Sequence, residues 1–377
     1  MRKKKVKLLI VTVGRLDWNI WKPILKKIKK NKKIDLKILA TGMHYEPKYG
    51  NSYKEIYEDG FKVDLKIKQN FGDSSPKGIS YQFSNYVTQF SKILKKIKID
   101  YVFLIGDRFE SLAISTACIP FKIPIIHFHG GEISRGSIDD VHRNMLTKSS
   151  HIHFVCHSTY RKRVIQMGED PSKVFCLGSP SAYFLKSYKS KIKKKELYKL
   201  FKIKNNKNLI LFFFNIETLN YEKSENQIVS CLETIKMRKN ENYLISSSNF
   251  DTFSNKVQKK IRMYVKKNKN IFLVNSLGRY FYDAMFHASL MIGNSSAGIR
   301  EAPSFKLPVI NIGTRQSGRL RADNVIGVAM PSKYNSSESL DDSEDFIDSE
   351  SHELIILNLT STDLKCFSFN LLFNNWF

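Results

Sequence analysis

The chain has 377 residues, 42% of them hydrophobic, and a formal net charge of +27. That is more chain than one compact core organises, so two α/β domains are expected, and the charge raises nucleic acid or an anionic membrane surface as partners. The lysines argue against both: they are scattered over 26–33, 92–98, 189–195 and 256–269, are not interleaved with aromatics, and far outnumber arginine, so they read as solvated helix faces.

Residues 2–5 are charged and 6–13 apolar, which resembles a signal peptide only superficially. Lys7 interrupts the run and no small-residue cleavage site follows, so a buried first strand is expected. No run reaches the ~18 apolar residues of a membrane span. The five cysteines are widely spaced with no C-x-x-C pair, which suits a reducing cytoplasm and neither a zinc site nor a disulfide framework.

In chain order, a helix is expected over 18–30, a strand over 36–40 and a Lys-faced helix over 83–97. A strand at 101–105, a helix at 111–119, a strand at 123–128, a helix at 139–150 and a strand at 153–155 follow. The polar, Lys-rich stretch 187–207 marks a boundary. Beyond it, strands are expected at 209–214, 243–246, 271–274, 290–293 and 309–312, with helices at 255–267 and 280–288. The alternation predicts an α/β protein of two Rossmann-like, doubly wound domains facing a cleft, residues 1–186 and 187–330. Residues 331–377 form an atypical tail, Ser/Asp/Glu-rich over 336–351, expected to be a loop or disordered.

Several strand ends carry chemistry-bearing residues. Gly14-Arg15-Leu16-Asp17 follows the first strand, where Arg15 either clamps a phosphate at a helix N-terminus or forms a solvated pair with Asp17. Gly106-Asp107-Arg108-Phe109-Glu110 closes the third strand; Asp107 there either caps the next helix or acts in catalysis. The densest stretch is His127-Phe128-His129-Gly130-Gly131-Glu132, followed by Asp139-Asp140-Val141-His142-Arg143. His127 and His129 are expected on one side of the strand end. The glycines allow close backbone approach, and the crowding of titratable groups favours acid–base work over a metal, for which the spacing matches no zinc motif.

In the second half, Gly293-Asn294-Ser295-Ser296-Ala297-Gly298 follows a strand and opens a helix expected to contain Glu301. Its amides suit a diphosphate, and Glu301 either accepts ribose hydroxyls or is an ordinary first-turn acid. The loop Gly313-Thr314-Arg315-Gln316-Ser317-Gly318-Arg319 then supplies further cationic donors.

In this order, Gly106–Glu110, His127–Glu132, Asp139-Asp140 with Arg143, Gly293–Ser296 and Arg315–Arg319, with Thr41-Gly42-Met43-His44 and Ser179-Pro180 as further matches, resemble the hydrolysing UDP-N-acetylglucosamine 2-epimerases of sialic-acid-type sugar synthesis. The likeness covers about residues 6–326. It implies a glycosyltransferase-B-like pair of domains with a UDP-sugar as ligand, no cofactor and no metal, and a homodimer or homotetramer. It also implies removal of the C2 proton, anti-elimination of UDP to a 2-acetamidoglucal, and addition of water to give the 2-epimer, N-acetylmannosamine. By similarity Asp107, His129, Glu132, Asp139 and Asp140 are the catalytic candidates. Arg15, Asp17, Arg108, Arg143, Asn215, Ser295, Ser296, Glu301, Arg315 and Gln316 are the substrate-binding ones.

Where the family has His-Pro at the end of the second domain's first strand, this chain has Asn215-Ile216. Asn donates a hydrogen bond but carries no charge, so weaker stabilisation of the leaving diphosphate is expected. A related diacetamido sugar as substrate, and a catalytically impaired sugar-nucleotide-binding protein, stand as alternatives.

Overall fold

The computed structural model describes residues 5–69, 71–203, 207–237, 239–247 and 249–330. The expected acidic tail over 331–377 lies outside them. Among the described residues two units separate by contact: one is formed by residues 5–132 and Ile138–Phe184, the other by Ile133–Ser137 and residues 185–330.

In the first unit the strands are β1 (Val6–Thr12), β2 (Ile34–Ala40), β3 (Leu65–Lys66), β4 (Tyr101–Ile105), β5 (Ile125–Phe128), β6 (Ile152–Val155) and β7 (Val174–Cys176). They pair in the order β3-β2-β1-β4-β5-β6-β7, every pair parallel. Successive side chains of a strand point to opposite faces, and both faces of a parallel sheet are covered, so the strands read as unbroken apolar runs. β1 divides accordingly. Leu8 and Ile10 pack with Trp18, Trp21, Phe103 and Phe128, while Leu9 and Val11 pack with Tyr86, Phe90 and Leu104 on the other face.

The helix Arg15–Ile28 offers the first of these faces a stripe of Trp18, Trp21, Leu25 and Ile28. Trp21 is fully buried and its Nε1 donates to the Val11 carbonyl at 2.8 Å. Trp21→Ala would therefore remove a large core side chain and orphan an acceptor, a loss of about 3–5 kcal/mol.

The second unit repeats the plan with β8 (Asn208–Phe213), β9 (Glu241–Ser246), β10 (Ile271–Val274), β11 (Leu290–Gly293), β12 (Val309–Ile312) and β13 (Val325–Val328). Their order is β10-β9-β8-β11-β12-β13, again all parallel. Phe212, Phe214, Tyr243 and Ile245 anchor a core against Ile228, Leu232, Val257 and Ile261 from the helices Ser224–Lys236 and Ser254–Val265.

Three strands were not expected from sequence. β3 has two residues, β7 three, and β13 is a mostly exposed edge strand shortly before the expected tail. The helix expected from 83 starts at Pro76, because Ser75 Oγ accepts from Gly78 N at 3.1 Å and proline suits a first helical position.

In each sheet the chain order reverses direction at one point, between β1 and β4 in the first and between β8 and β11 in the second. Ligands of open α/β sheets bind outside the carboxyl ends of strands at such points. The residues singled out above follow β1, β4 and β5 in one unit and β8, β11 and β12 in the other.

Candidate active site

In the first unit the centre is Arg143, fully buried on the helix Asp139–Lys148. Its Nη2 donates to Asp107 Oδ2, and its Nη1 donates to Asp140 Oδ1 and to the Glu132 carbonyl, each at 2.9 Å. Burial works against this guanidinium's charge, but Asp107, Glu132 and Asp140 outweigh it and hold the pKa above its ordinary value. A buried cation is tolerated only when compensated in this way. Asp139 and Asp140 occupy the first turn of the same helix, where carboxylates suit the positive end of the dipole. Asp139 is partly exposed.

The two histidines do not share a face. His127 lies in β5; its Nε2 meets the Gly106 carbonyl at 2.9 Å and its Nδ1 meets Thr147 Oγ1 at 3.4 Å. Burial drives its pKa down to about 3, so it is a neutral structural ring. His129 follows the strand with φ of 71°, a left-handed conformation that breaks the alternation and turns its ring elsewhere. Its Nδ1 stands 2.6 Å from Glu132 Oε1 and 3.0 Å from Cys156 Sγ. Gly131, at φ of 75°, has no room for a side chain: a Cβ would meet the Tyr160 carbonyl at 2.5 Å. This close approach fixes the turn that carries Glu132 back beside His129.

Arg15 opens the helix after β1 and Asp17 sits in its first turn, accepting from Val13 N at 3.1 Å. The residue is only partly buried, yet its carboxyl end is desolvated. That burial pushes its pKa up to about 7, with Asp107 and Glu110 adding to the rise while the Val13 amide and Arg108 oppose it. Arg108 is buried and its Nε donates to Glu110 Oε2 at 3.3 Å. Glu110, fully buried, had no role assigned from sequence.

In the second unit the centre is an amide pair. Asn215 N donates to Asn294 Oδ1 at 2.7 Å, and Asn294 Nδ2 returns to the Asn215 carbonyl at 2.8 Å. Asn215 Oδ1 accepts from Asn249 N at 3.2 Å. Gln316 Nε2 and Arg315 Nη1 both donate to the Asn294 carbonyl, at 2.9 and 3.4 Å, and Arg315 Nε donates to the Ile216 carbonyl at 3.2 Å. Glu217, which the sequence reading passed over, organises this loop. Buried, it accepts from the amides of Thr314 at 2.6 Å and Arg315 at 3.1 Å and from Gln227 Nε2 at 3.1 Å.

Ser295 and Ser296 precede a helix of four residues, Ala297–Arg300, and Ser295 Oγ accepts from Ala297 N at 3.3 Å. Glu301 is not inside that helix, as expected, but at its junction with the 3-10 turn Ala302–Phe305, where Pro303 ends regular α-helix. It is buried there. The segment Ile133–Ser137 also belongs to this unit: Arg135 N donates to the Ser317 carbonyl at 3.1 Å, and Arg319 Nε to the Ile133 carbonyl at 3.3 Å.

Residues 26–349 match the family model described as UDP-N-acetylglucosamine 2-epimerase. Over 324 residues the chain is 36% identical to a GDP/UDP-N,N'-diacetylbacillosamine 2-epimerase (hydrolyzing) of Campylobacter jejuni, covering 85% of this chain and 84% of that one. It is 30% identical over 322 residues to a UDP-N-acetylglucosamine 2-epimerase of Neisseria meningitidis, covering 85% and 83%. Among solved structures, the Methanocaldococcus jannaschii UDP-GlcNAc 2-epimerase in complex with UDP-GlcNAc and UDP superposes with a TM-score of 0.70 at 19% identity, covering 86% of this chain and 89% of that one. No described helix is long and apolar enough to cross a membrane.

Proposed function

The chain belongs to the UDP-N-acetylglucosamine 2-epimerase family, and on that premise we propose that it is a hydrolysing 2-epimerase of a UDP-activated 2-acetamido sugar. A carboxylate of the Asp107, Glu132, Asp140 cluster removes the C2 proton. The C2–H electron pair forms the C1=C2 double bond as the C1–O bond to UDP breaks. Water then adds its hydroxyl to C1 while a proton returns to the opposite face of C2. The C2 proton is weakly acidic, so the reaction needs a positioned base and stabilisation of the departing diphosphate.

The observation that carries this reading is the gathering of Asp107, Asp140, Glu132 and His129 around one buried arginine at the strand ends of β4 and β5. Glu132 and His129 share a short hydrogen bond, the arrangement suited to passing a proton. Asp107 and Asp140 each accept a hydrogen bond from Arg143, with Asp139 on the same helix turn as Asp140. Arg15, Asp17 and Arg108 in this unit, and Asn215, Ser295, Ser296, Glu301, Arg315 and Gln316 in the other, are proposed to hold the nucleotide and sugar. No metal or cofactor enters the reaction, and the working form is a homo-oligomer.

The substrate read first from the sequence is UDP-N-acetylglucosamine, with N-acetylmannosamine as product. A second reading, UDP-N,N'-diacetylbacillosamine, has the 36% identical relative behind it. The test is turnover of each sugar nucleotide in deuterated water with NMR of the released sugar. Deuterium at C2 together with inverted configuration there supports the mechanism; a released sugar that keeps its C2 proton and configuration overturns it. The faster of the two substrates decides between the readings.

A further inference from the structure

Strand β6 ends at Val155, so Cys156 emerges beside the end of β5 and meets the His129–Glu132 pair. His129 Nδ1, Glu132 Oε1 and Cys156 Sγ all lie within 4.8 Å of one another, with His129 and Glu132 buried and Cys156 partly so. We propose that these three side chains form a binding site for a thiophilic divalent ion of the zinc class, and that occupation of it silences the enzyme by taking Glu132 out of proton transfer. The binding rests on this geometry alone; the silencing rests on the function proposed above.

The donor set is one imidazole nitrogen, one carboxylate oxygen and one sulfur, the mixture zinc accepts in three-ligand sites with a fourth position open. Zinc–ligand bonds of about 2.0–2.3 Å at tetrahedral angles place nitrogen and oxygen about 3.4 Å apart, and nitrogen and sulfur about 3.6 Å apart. The present separations are 2.6 and 3.0 Å. Admitting an ion therefore requires the cluster to open by less than about 1 Å, within reach of side-chain rotation. The thiol releases its proton to solvent on binding. A dication with one thiolate and one carboxylate then sums to zero charge, which limits the cost of placing it in a buried site. Arg143, which donates to the Glu132 carbonyl, and Arg163, whose Nη1 donates to the Gly131 carbonyl at 3.1 Å, hold the backbone that presents Glu132. The cysteine follows a different strand than the histidine and glutamate do, so no spacing motif announces the set.

The full chain, stripped with EDTA, is titrated with cobalt(II) and its absorption followed, then with zinc. Expected is a near-ultraviolet sulfur-to-cobalt charge-transfer band that zinc abolishes, and that is lost in both Cys156→Ser and Cys156→Ala. In parallel, micromolar zinc should slow turnover of the sugar nucleotide at least tenfold, EDTA should restore it, and Cys156→Ser should keep its zinc-free turnover while resisting zinc. No charge-transfer band, or one that persists in both cysteine variants, overturns the site. A cysteine-dependent band with turnover unchanged by zinc overturns the silencing. The cobalt readout needs no activity, so it stands even if the protein turns over neither sugar nucleotide.

Discussion

The strand ends of the two sheets occupy the same topological place but satisfy their polar groups in different ways. In the first unit a buried guanidinium is compensated by carboxylates, Asp107 and Asp140 directly and Glu132 through its carbonyl and its field. In the second, the guanidinium of Arg315 donates to the carbonyls of Ile216 and Asn294, beside a reciprocal amide pair of Asn215 and Asn294. Carbonyl dipoles position a cation without carrying charge of their own, whereas carboxylates both position and titrate. Under the function proposed above, the titrating cluster of the first unit would carry proton transfer, and Arg315 of the second would be one of the groups that hold the diphosphate.

That division is broken most directly at the carboxylates. Asp107→Asn, Glu132→Gln and Asp140→Asn should each lower turnover by about 10²-fold or more, while the UDP-induced rise in melting temperature survives in at least two of them. Normal turnover in all three, with an active parent, would make the carboxylates structural partners of Arg143 and nothing more. The mirror experiment is Arg315→Ala. UDP at a hundred times its Kd should stabilise the parent by about 2.7 kcal/mol, and this variant should lose most of that shift, read by thermal melting. A full shift in Arg315→Ala would move anion binding out of the second unit.

A smaller change sharpens the comparison by placing an imidazole in the amide pair of the second unit. Asn215→His should raise turnover by about tenfold at most, below the ~3 kcal/mol that a single developing-charge contact supplies elsewhere. The gain is limited because Asn215 Oδ1 already accepts the Asn249 amide. A further test reads stability rather than turnover, as a pH slope. Asp17 titrates near 7 in the folded protein and near 3.8 when unfolded, so the folded state binds the extra proton between those values. Its contribution to stability is therefore greatest at low pH and falls as pH rises from about 4 to about 7. Denaturant melts should show Asp17→Asn losing that fall and gaining on the parent at pH 8 relative to pH 5. Parallel curves would place its carboxyl in water.

The long central strands were legible because burial on both faces leaves an unbroken apolar run: β1, β4, β8 and β11 fall within a residue or so of where the sequence puts them. β13 was not, since three of its four residues are exposed and carry no such signature. In the site, residue types and strand-end positions were readable, but pairings were not. Nothing in the local sequence shows that His129 adopts positive φ and parts from His127, or that Cys156, just past the end of a neighbouring strand, comes to meet it. Glu217 was missed because its partners, Thr314 and Arg315, lie almost a hundred residues away. Proline at 303 was the available signal that the helix would stop short of Glu301.

The excursion at Ile133–Ser137 bears on modularity. Among the described residues three peptide junctions, at 132–133, 137–138 and 184–185, separate the units, so no single cut there yields two whole folding modules. A fragment starting at Leu185 would lack the five residues whose Arg135 amide caps Ser317 and whose Gly136 lies so close to Arg315 that a Cβ would meet its backbone at 2.6 Å. A chimera that takes its second unit from a relative must therefore import residues 133–137 as well, or its Arg315 loop will be grafted onto a strand of chain that evolved beside a different one.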